Sequence, residues 1–249
     1  MVHDLLIKHG KVIDPAQKLS GQLDVGIAGG KIAALAPDIP ASEATKVIDA
    51  QGRLVTPGLV DIHTHVAEAI MPIAVTPDEA GVYTGATTVC DAGSTGYANF
   101  NAFRKLIVPR ARTDILCFLH LCPTGQAVYP EIAWEYIDPG RMLQIVDENR
   151  EMVKGIKLRI GKGVLEGQGI ELVKAAKRVA AAGGLLTAIH IGLGREDALP
   201  DDLLTSFNRE MLSLLDAGDI LVHVFTHRKG GVINADGSVL PELREAMDR

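Results

Sequence analysis

Residues 55–65 read Val-Thr-Pro-Gly-Leu-Val-Asp-Ile-His-Thr-His, and this stretch decides the predicted fold. Apolar and polar residues alternate with the period of a β-strand, which predicts a buried strand with Asp61, His63 and His65 on one face. Burying two imidazoles without partners is costly, but each offers a neutral nitrogen to a zinc-like ion at about 2.0–2.1 Å. Hydrogen-bonded core histidines are the alternative. We predict metal ligands, because the His-x-His pair follows both Pro-Gly and Asp.

The same residues resemble a known family. Pro-Gly, two apolar residues and Asp-x-His-x-His at the end of a first barrel strand are similar to the amidohydrolase superfamily of metal-dependent hydrolases. Dihydroorotases, dihydropyrimidinases and a deacetylase branch belong to it. The resemblance spans nearly all of the chain and implies an α/β fold, a (β/α)8 barrel of the TIM type.

Composition agrees with an α/β protein that acts on a small molecule. The chain has 249 residues, of which 47% are hydrophobic and only 4% aromatic, so its core must consist mainly of Ala, Val, Ile and Leu. Helix-covered parallel sheets often have such cores. The formal net charge of −6 provides no broad basic field. We therefore expect a small-molecule substrate, and neither nucleic acid nor a membrane surface as a partner.

The three cysteines indicate the compartment. Cys90, Cys117 and Cys122 lie in apolar or strand-like surroundings without CxxC spacing, which predicts reduced structural thiols and a cytoplasmic protein. The N-terminus lacks the basic and apolar regions of a secretion signal, and no apolar run is long enough to span a bilayer. The sequence is compatible with a homo-oligomer but does not determine the oligomeric state.

The chain changes character after residue 55. Residues 1–55 hold short alternating segments with turn signals, which predict a small β-domain, and Gly29-Gly30 suits a hairpin turn. By resemblance, this domain is the N-terminal part of the β-sandwich that accompanies the family's barrel. Residues 56–249 alternate strand and helix patterns, as a barrel requires.

Six strands and six helices are predicted in residues 56–249. The clearest helix is Ile170–Ala182, whose apolar residues keep helical spacing and whose Gly183-Gly184 ends it. The predicted strands are Leu59–Val66, Thr87–Ala92, Ile115–Leu121, Gly155–Ile160, Leu185–Ile191 and Ile220–Phe225. The other predicted helices are Pro77–Thr84, Phe100–Val108, Pro139–Met152, Asp201–Leu215 and Leu240–Arg249.

A complete barrel needs eight strand–helix units, and six fit before Arg249. We therefore expect a chain that is truncated at its C-terminus, without strands seven and eight and without the last sandwich strands. An intact smaller fold is the competing explanation.

Lys157 stands in the fourth predicted strand, where it would face the barrel lumen. Desolvation lowers the pKa of a buried amine, and a neutral amine can add carbon dioxide to become a carbamate, a negatively charged ligand that can bridge two metal ions. In the resembling family a fourth-strand lysine is modified in this way, and Lys157 matches it. The alternative is a salt bridge to Asp61 or Asp91.

His190 and His223 close the fifth and sixth predicted strands. Either one alone would more often be a core histidine. With His63, His65 and Lys157 they match the family's ligand order, so the resemblance implies two divalent metal ions, zinc by expectation, that share the Lys157 carbamate. His227 is a second candidate for the sixth-strand ligand. His120 ends the third strand, where the family needs no ligand, and we expect core or pocket lining.

The resemblance also implies a proton-transferring aspartate on strand eight. That residue would lie beyond Arg249, so no catalytic residue is identified in this chain. The predicted function is a metal-dependent hydrolase that uses a hydroxide activated by two metal ions to cleave a small-molecule amide or ester bond, as a deacetylase does. The alternatives are a cyclic-amide hydrolase such as a dihydroorotase, a catalytically inactive truncated barrel, or an interaction scaffold. Asp91–Gly96 after the second strand is either pocket lining or an ordinary loop.

Overall fold

The computed structural model describes residues 2–128, 134–192, 199–226, 230–234 and 236–249. The chain divides into two compact units, Met1–Leu59 and Val60–Arg249. Within the described ranges, every helix is too short or too polar to cross a membrane.

The first unit is one mixed five-stranded sheet. Its order is β3-β2-β1-β4, and the short β5 also pairs with β1. Antiparallel pairs join β1 to β2 and β2 to β3, whereas β1 pairs in parallel with β4 and β5. Gly29 and Gly30 connect β2 to β3 at φ values of 58° and 72°, which confirms the predicted hairpin turn. The strands are β1 (His3–Asp14), β2 (Leu19–Ala28), β3 (Lys31–Ala36), β4 (Ala44–Asp49) and β5 (Leu54–Val55).

The second unit is a six-stranded sheet alternating with helices. Its strand order, β11-β10-β9-β8-β7-β6, follows the chain, and the pairs from β7 to β11 are parallel. The strands are β6 (Leu59–Thr64), β7 (Ala86–Ala92), β8 (Asp114–His120), β9 (Val153–Arg159), β10 (Leu186–His190) and β11 (Ile220–Val222). The helices are α1 (Pro77–Ala80), α2 (Phe100–Ala102), α3 (Pro139–Glu148), α4 (Lys162–Glu166), α5 (Ile170–Gly183), α6 (Asp201–Ser213) and α7 (Pro241–Asp248). The predicted order of strands and helices is confirmed.

Helix α5 shows how the sequence builds this unit. Its apolar stripe, which includes Leu172, Val173 and Ala176, is buried in one core with Ile156 and Leu158 of β9. The helix ends at Gly183, and the next residue, Gly184, adopts a left-handed conformation at φ 65° as predicted. Because Ile156 and Leu158 take the helix side of β9, Lys157 between them takes the other side.

Several predicted elements are shorter in the structure; of the predicted helix Pro77–Thr84, only Pro77–Ala80 is helical. Only Phe100–Ala102 of the predicted helix Phe100–Val108 is α-helical, and the chain continues as a π turn and then a 3-10 turn. Pro109 explains the break, because it lacks an N–H group and its ring clashes with a regular helix. Strand β11 ends at Val222 rather than Phe225, because His223 has a φ of 66°, which strand geometry does not allow.

The prediction that the first strand is buried is wrong. Leu59, Val60 and Ile62 of β6 are 56–59% exposed. β6 is the last strand in the order of the described sheet, so a neighbouring strand covers it on one side only. The apolar residues of β6 therefore do not show that the strand is buried.

Candidate metal centre

The predicted ligands lie at or near the carboxyl ends of strands in the second unit. His63 lies near the end of β6, and His65 follows that strand directly. His190 is the last residue of β10, and His223 follows β11. Lys157 pairs in register with Ala188 of β10, two residues before His190. His227 lies outside the described residues. The carboxyl ends of parallel strands meet at one edge of a sheet, so the strand ends bring these side chains together.

Four imidazole rings form a connected group. Ring centroids are 5.6 Å apart for His63 and His65, 5.2 Å for His63 and His223, and 4.5 Å for His190 and His223. Two imidazoles that bind one tetrahedral zinc ion at about 2.0–2.1 Å have centroids roughly 5 Å apart. The observed spacings are close to that value. Among the residues that the structure describes, no group of three His, Cys, Asp or Glu side chains is positioned to hold one ion.

Lys157 is buried within this group. The residue is 1% exposed, and with His63 and His223 it lines a cavity of about 510 Å³ whose other walls include Phe118 and Ala188. The chain thus places a lysine side chain beside several imidazoles in a largely apolar cavity.

Burial favours the neutral form of three of the imidazoles. Burial lowers the pKa of His63 to about 3 and that of His190 to about 2, and the positive charge of Lys157 acts in the same direction. Burial also lowers the pKa of His65, although the carboxylate of Asp91 opposes the shift. A neutral imidazole is the form that donates an electron pair to a metal ion. The histidines are therefore prepared as ligands and poorly suited to carry charge.

The prediction that Asp61 lies on a buried face with His63 and His65 is wrong. The Asp61 side chain is exposed, and its Oδ1 accepts a hydrogen bond from the backbone N–H of His63 at 3.0 Å. The carboxylate therefore holds the backbone of β6.

His120 lies in the core. It is fully buried, its Nδ1 accepts a hydrogen bond from the backbone N–H of Cys122 at 3.0 Å, and burial lowers its pKa to about 3.

Ser94 contacts the candidate ligand His65 and connects it to Asp91, a role that the sequence left undecided. Ser94 Oγ is 3.0 Å from His65 Nδ1 and donates a hydrogen bond to Asp91 Oδ2 at 2.7 Å. The sequence offered one indication of this role: Asp91 lies near the end of β7 and Ser94 just after it, close to the other strand ends. That position does not specify a contact with His65.

Comparisons with known proteins agree with this arrangement. A sequence model of the amidohydrolase family matches residues 46–97. A deacetylase of Agrobacterium fabrum is 35% identical over 218 residues, which cover 86% of this chain and 51% of that protein. Two solved structures are also similar. An adenine deaminase has 28% identity and a TM-score of 0.83, over 99% of this chain and 63% of its own. A dihydroorotase has 30% identity and a TM-score of 0.79, over 98% and 63%.

The chain spans about half the length of the first curated relatives it matches. The matched region includes the His-x-His stretch, and the structural similarity extends over both units. With six strand–helix units in barrel order and histidines at the strand ends, these findings establish that the chain belongs to the amidohydrolase superfamily.

Proposed function

We propose that this protein is a metal-dependent hydrolase that cleaves an amide or ester bond of a small molecule, as a deacetylase does. The observation that carries the proposal is the grouping of four imidazole rings beside the buried Lys157 at the ends of parallel strands. A purely structural cluster has little need for so many buried nitrogen donors, which are costly to desolvate. The similarity to an Agrobacterium fabrum deacetylase supports the choice of bond.

The side chains fit two divalent ions, zinc in this proposal. His63 and His65 would hold one ion, and His190 and His223 the other. Each pair has ring centroids near the roughly 5 Å expected for imidazoles on one zinc ion. When bound, the ions would lower the pKa of a water molecule and polarise the scissile carbonyl.

Lys157 would act as a carbamate. In its neutral amine form, Nζ would attack carbon dioxide, an N–C bond would form and a proton would be released to solvent. The product carries a negative charge on two oxygens. The positive charge of Lys157, which adds to the effect of burial in lowering the pKa of His63 and of His190, would then be replaced by a negative charge that attracts metal ions. The apolar walls of the cavity, such as Phe118 and Ala188, would exclude water and hold the substrate.

The three cysteines support a cytoplasmic location, which completes the proposal. The three thiols of Cys90, Cys117 and Cys122 are buried, and burial raises the pKa of Cys90 to about 12. Thiols of this kind are typical of reducing compartments.

A cyclic-amide hydrolase is the second candidate. It is favoured by the similarity to a solved dihydroorotase, at 30% identity and a TM-score of 0.79. The same metal centre would serve either reaction. Release of acetate from N-acetyl and O-acetyl compounds, compared with ring opening of dihydroorotate, separates the two.

Zinc content per chain tests the metal centre. Elemental analysis should find two zinc ions per wild-type chain and one or none in Lys157→Ala. Lys154→Ala is a matched control, because Lys154 lies on the same strand but is exposed and its Nζ donates to the carbonyl of Arg150. That variant should keep both ions. A wild-type chain without zinc, or a Lys157→Ala chain that keeps two ions, contradicts the proposal.

A further inference from the structure

A hydrogen-bonded chain stands behind His65. Its Nδ1 lies 3.0 Å from Ser94 Oγ, and that hydroxyl donates to Asp91 Oδ2 at 2.7 Å. Asp91 also accepts hydrogen bonds from the backbone N–H groups of Ser94, at 2.7 Å, and Val66, at 2.9 Å. Asp91 and Ser94 are both 0% exposed. Bulk water therefore does not compete for these bonds.

The direction of the bonds follows from the groups involved. Backbone N–H groups can only donate, and a carboxylate can only accept from the Ser94 hydroxyl, so Asp91 is the acceptor in all three of its bonds. Because the Ser94 hydroxyl has one proton and gives it to Asp91, its oxygen is left to accept from His65. His65 must then carry its proton on Nδ1. A neutral imidazole with a proton on Nδ1 has its lone pair on Nε2.

We propose that Asp91 and Ser94 are positioning residues that hold His65 as the Nδ1-protonated tautomer and so present Nε2 to the metal ion. This inference rests on the proposed function, since it assigns a role toward the same metal centre. Metal-binding histidines generally need such a partner on the second nitrogen, and losing that partner typically weakens metal binding 10- to 100-fold.

The loop that carries Ser94 is held firmly. The backbone N–H of Gln126 donates to the carbonyl of Ser94 at 3.1 Å, and the Gln126 side chain donates to the carbonyl of Gly93 at 3.2 Å. Gly93 in turn lies against Lys157, since a Cβ on Gly93 would be 2.6 Å from Lys157 Cγ. The same short loop thus contacts both His65, through Ser94, and Lys157, through Gly93.

The tautomer is the first quantity to measure. Long-range ¹H–¹⁵N NMR on the metal-free chain distinguishes a protonated Nδ1 from a protonated Nε2. We expect His65 of the wild type to be protonated on Nδ1 and His65 of Ser94→Ala to show a mixture or the other tautomer. A merely structural role for Ser94 would leave the tautomer unchanged.

Zinc affinity is the second quantity, measured by competition with a chelator of known affinity. Ser94→Ala should weaken binding of one zinc ion by about 10- to 100-fold. Thr113→Val is a matched control that also removes one buried hydroxyl. Thr113 Oγ1 donates to Asp78 at 2.9 Å and accepts from the Val82 N–H at 3.1 Å, just before β8 begins and therefore at the opposite end of the sheet. We expect its stability to fall while its zinc affinity stays at the wild-type value.

The outcomes separate the two proposals. If His65→Ala weakens zinc binding but Ser94→Ala changes neither the tautomer nor the affinity, the positioning role is refuted and the metal centre remains. If the wild-type chain binds no zinc, the proposed function fails and the positioning role fails with it. An equal loss of affinity in Ser94→Ala and Thr113→Val would show a general stability effect and also refute the role.

Discussion

Gly93 is the residue at which a single methyl group should disturb the candidate site most directly. Its φ of 85° lies in a region that residues with a side chain rarely adopt. A Cβ there would stand 2.6 Å from Lys157 Cγ, 2.7 Å from Lys157 Cβ and 3.2 Å from His120 Cδ2. Both neighbours are buried, so neither can move aside without displacing others.

Two costs therefore apply to Gly93→Ala. The left-handed backbone costs an alanine about 1–2 kcal/mol, and overpacking a well-packed site typically costs about 1–3 kcal/mol. We expect the free energy of unfolding to fall by about 2–5 kcal/mol in total. Gly184→Ala isolates the first cost, because Gly184 has a φ of 65° and no atom within 4 Å of its would-be Cβ. That control should lose only about 1–2 kcal/mol.

Urea unfolding at neutral pH measures both losses, and zinc content reports the displacement of Lys157. Gly93→Ala should be the less stable variant and should bind less zinc than Gly184→Ala. Equal losses in the two variants, or a Gly93→Ala chain with the stability and zinc content of the wild type, would refute the argument from close packing.

Three further predictions concern charge and metal. Asp219 accepts hydrogen bonds from the N–H and hydroxyl of Thr187 and pairs with Lys177, so Asp219→Asn should lower the free energy of unfolding by about 1–3 kcal/mol in urea. Burial raises the pKa of Asp219, but its hydrogen bonds outweigh burial and hold the pKa below the ordinary 3.8. The stability difference should therefore be complete above about pH 4 and be lost as the pH falls through the lower pKa of the folded state. Burial lowers the pKa of His63 to about 3 and that of His190 to about 2, so both should stay neutral in NMR titrations of the metal-free chain down to about pH 4. The free energy of unfolding should fall as the pH drops below 6.5, because the unfolded chain then takes up protons that these two folded histidines do not. Chelation of the bound metal should abolish hydrolysis in the activity assay, and added zinc should restore it.

The sequence predicted the fold where the physical signals are local. The apolar stripe of α5 and its terminal glycines determine that helix almost alone, and the predicted six strands occur in the predicted order. Local signals failed where the outcome depends on neighbours. The alternation in β6 looks the same for an edge strand as for a buried one, and nothing before His223 indicates a φ of 66°.

The candidate site was predicted residue by residue only with the help of the family resemblance. His190 and His223, taken alone, have the appearance of core histidines. The contact between Ser94 and His65 depends on how the loop after β7 folds back across the sheet edge, and a sequence pattern does not give such a distance. The assignment of these side chains as ligands stays a prediction until metal binding is measured.

The candidate ligands come from the beginning, middle and end of the second unit, since they lie on or just after strands β6, β9, β10 and β11. No single segment could form such a site, so an ion that binds there would stabilise the whole folded sheet against unfolding. Ligand present at about 100 times its Kd adds about 2.7 kcal/mol to stability. The melting temperature should therefore rise with free zinc, and the lifetime of the folded protein would follow the zinc supply of its surroundings.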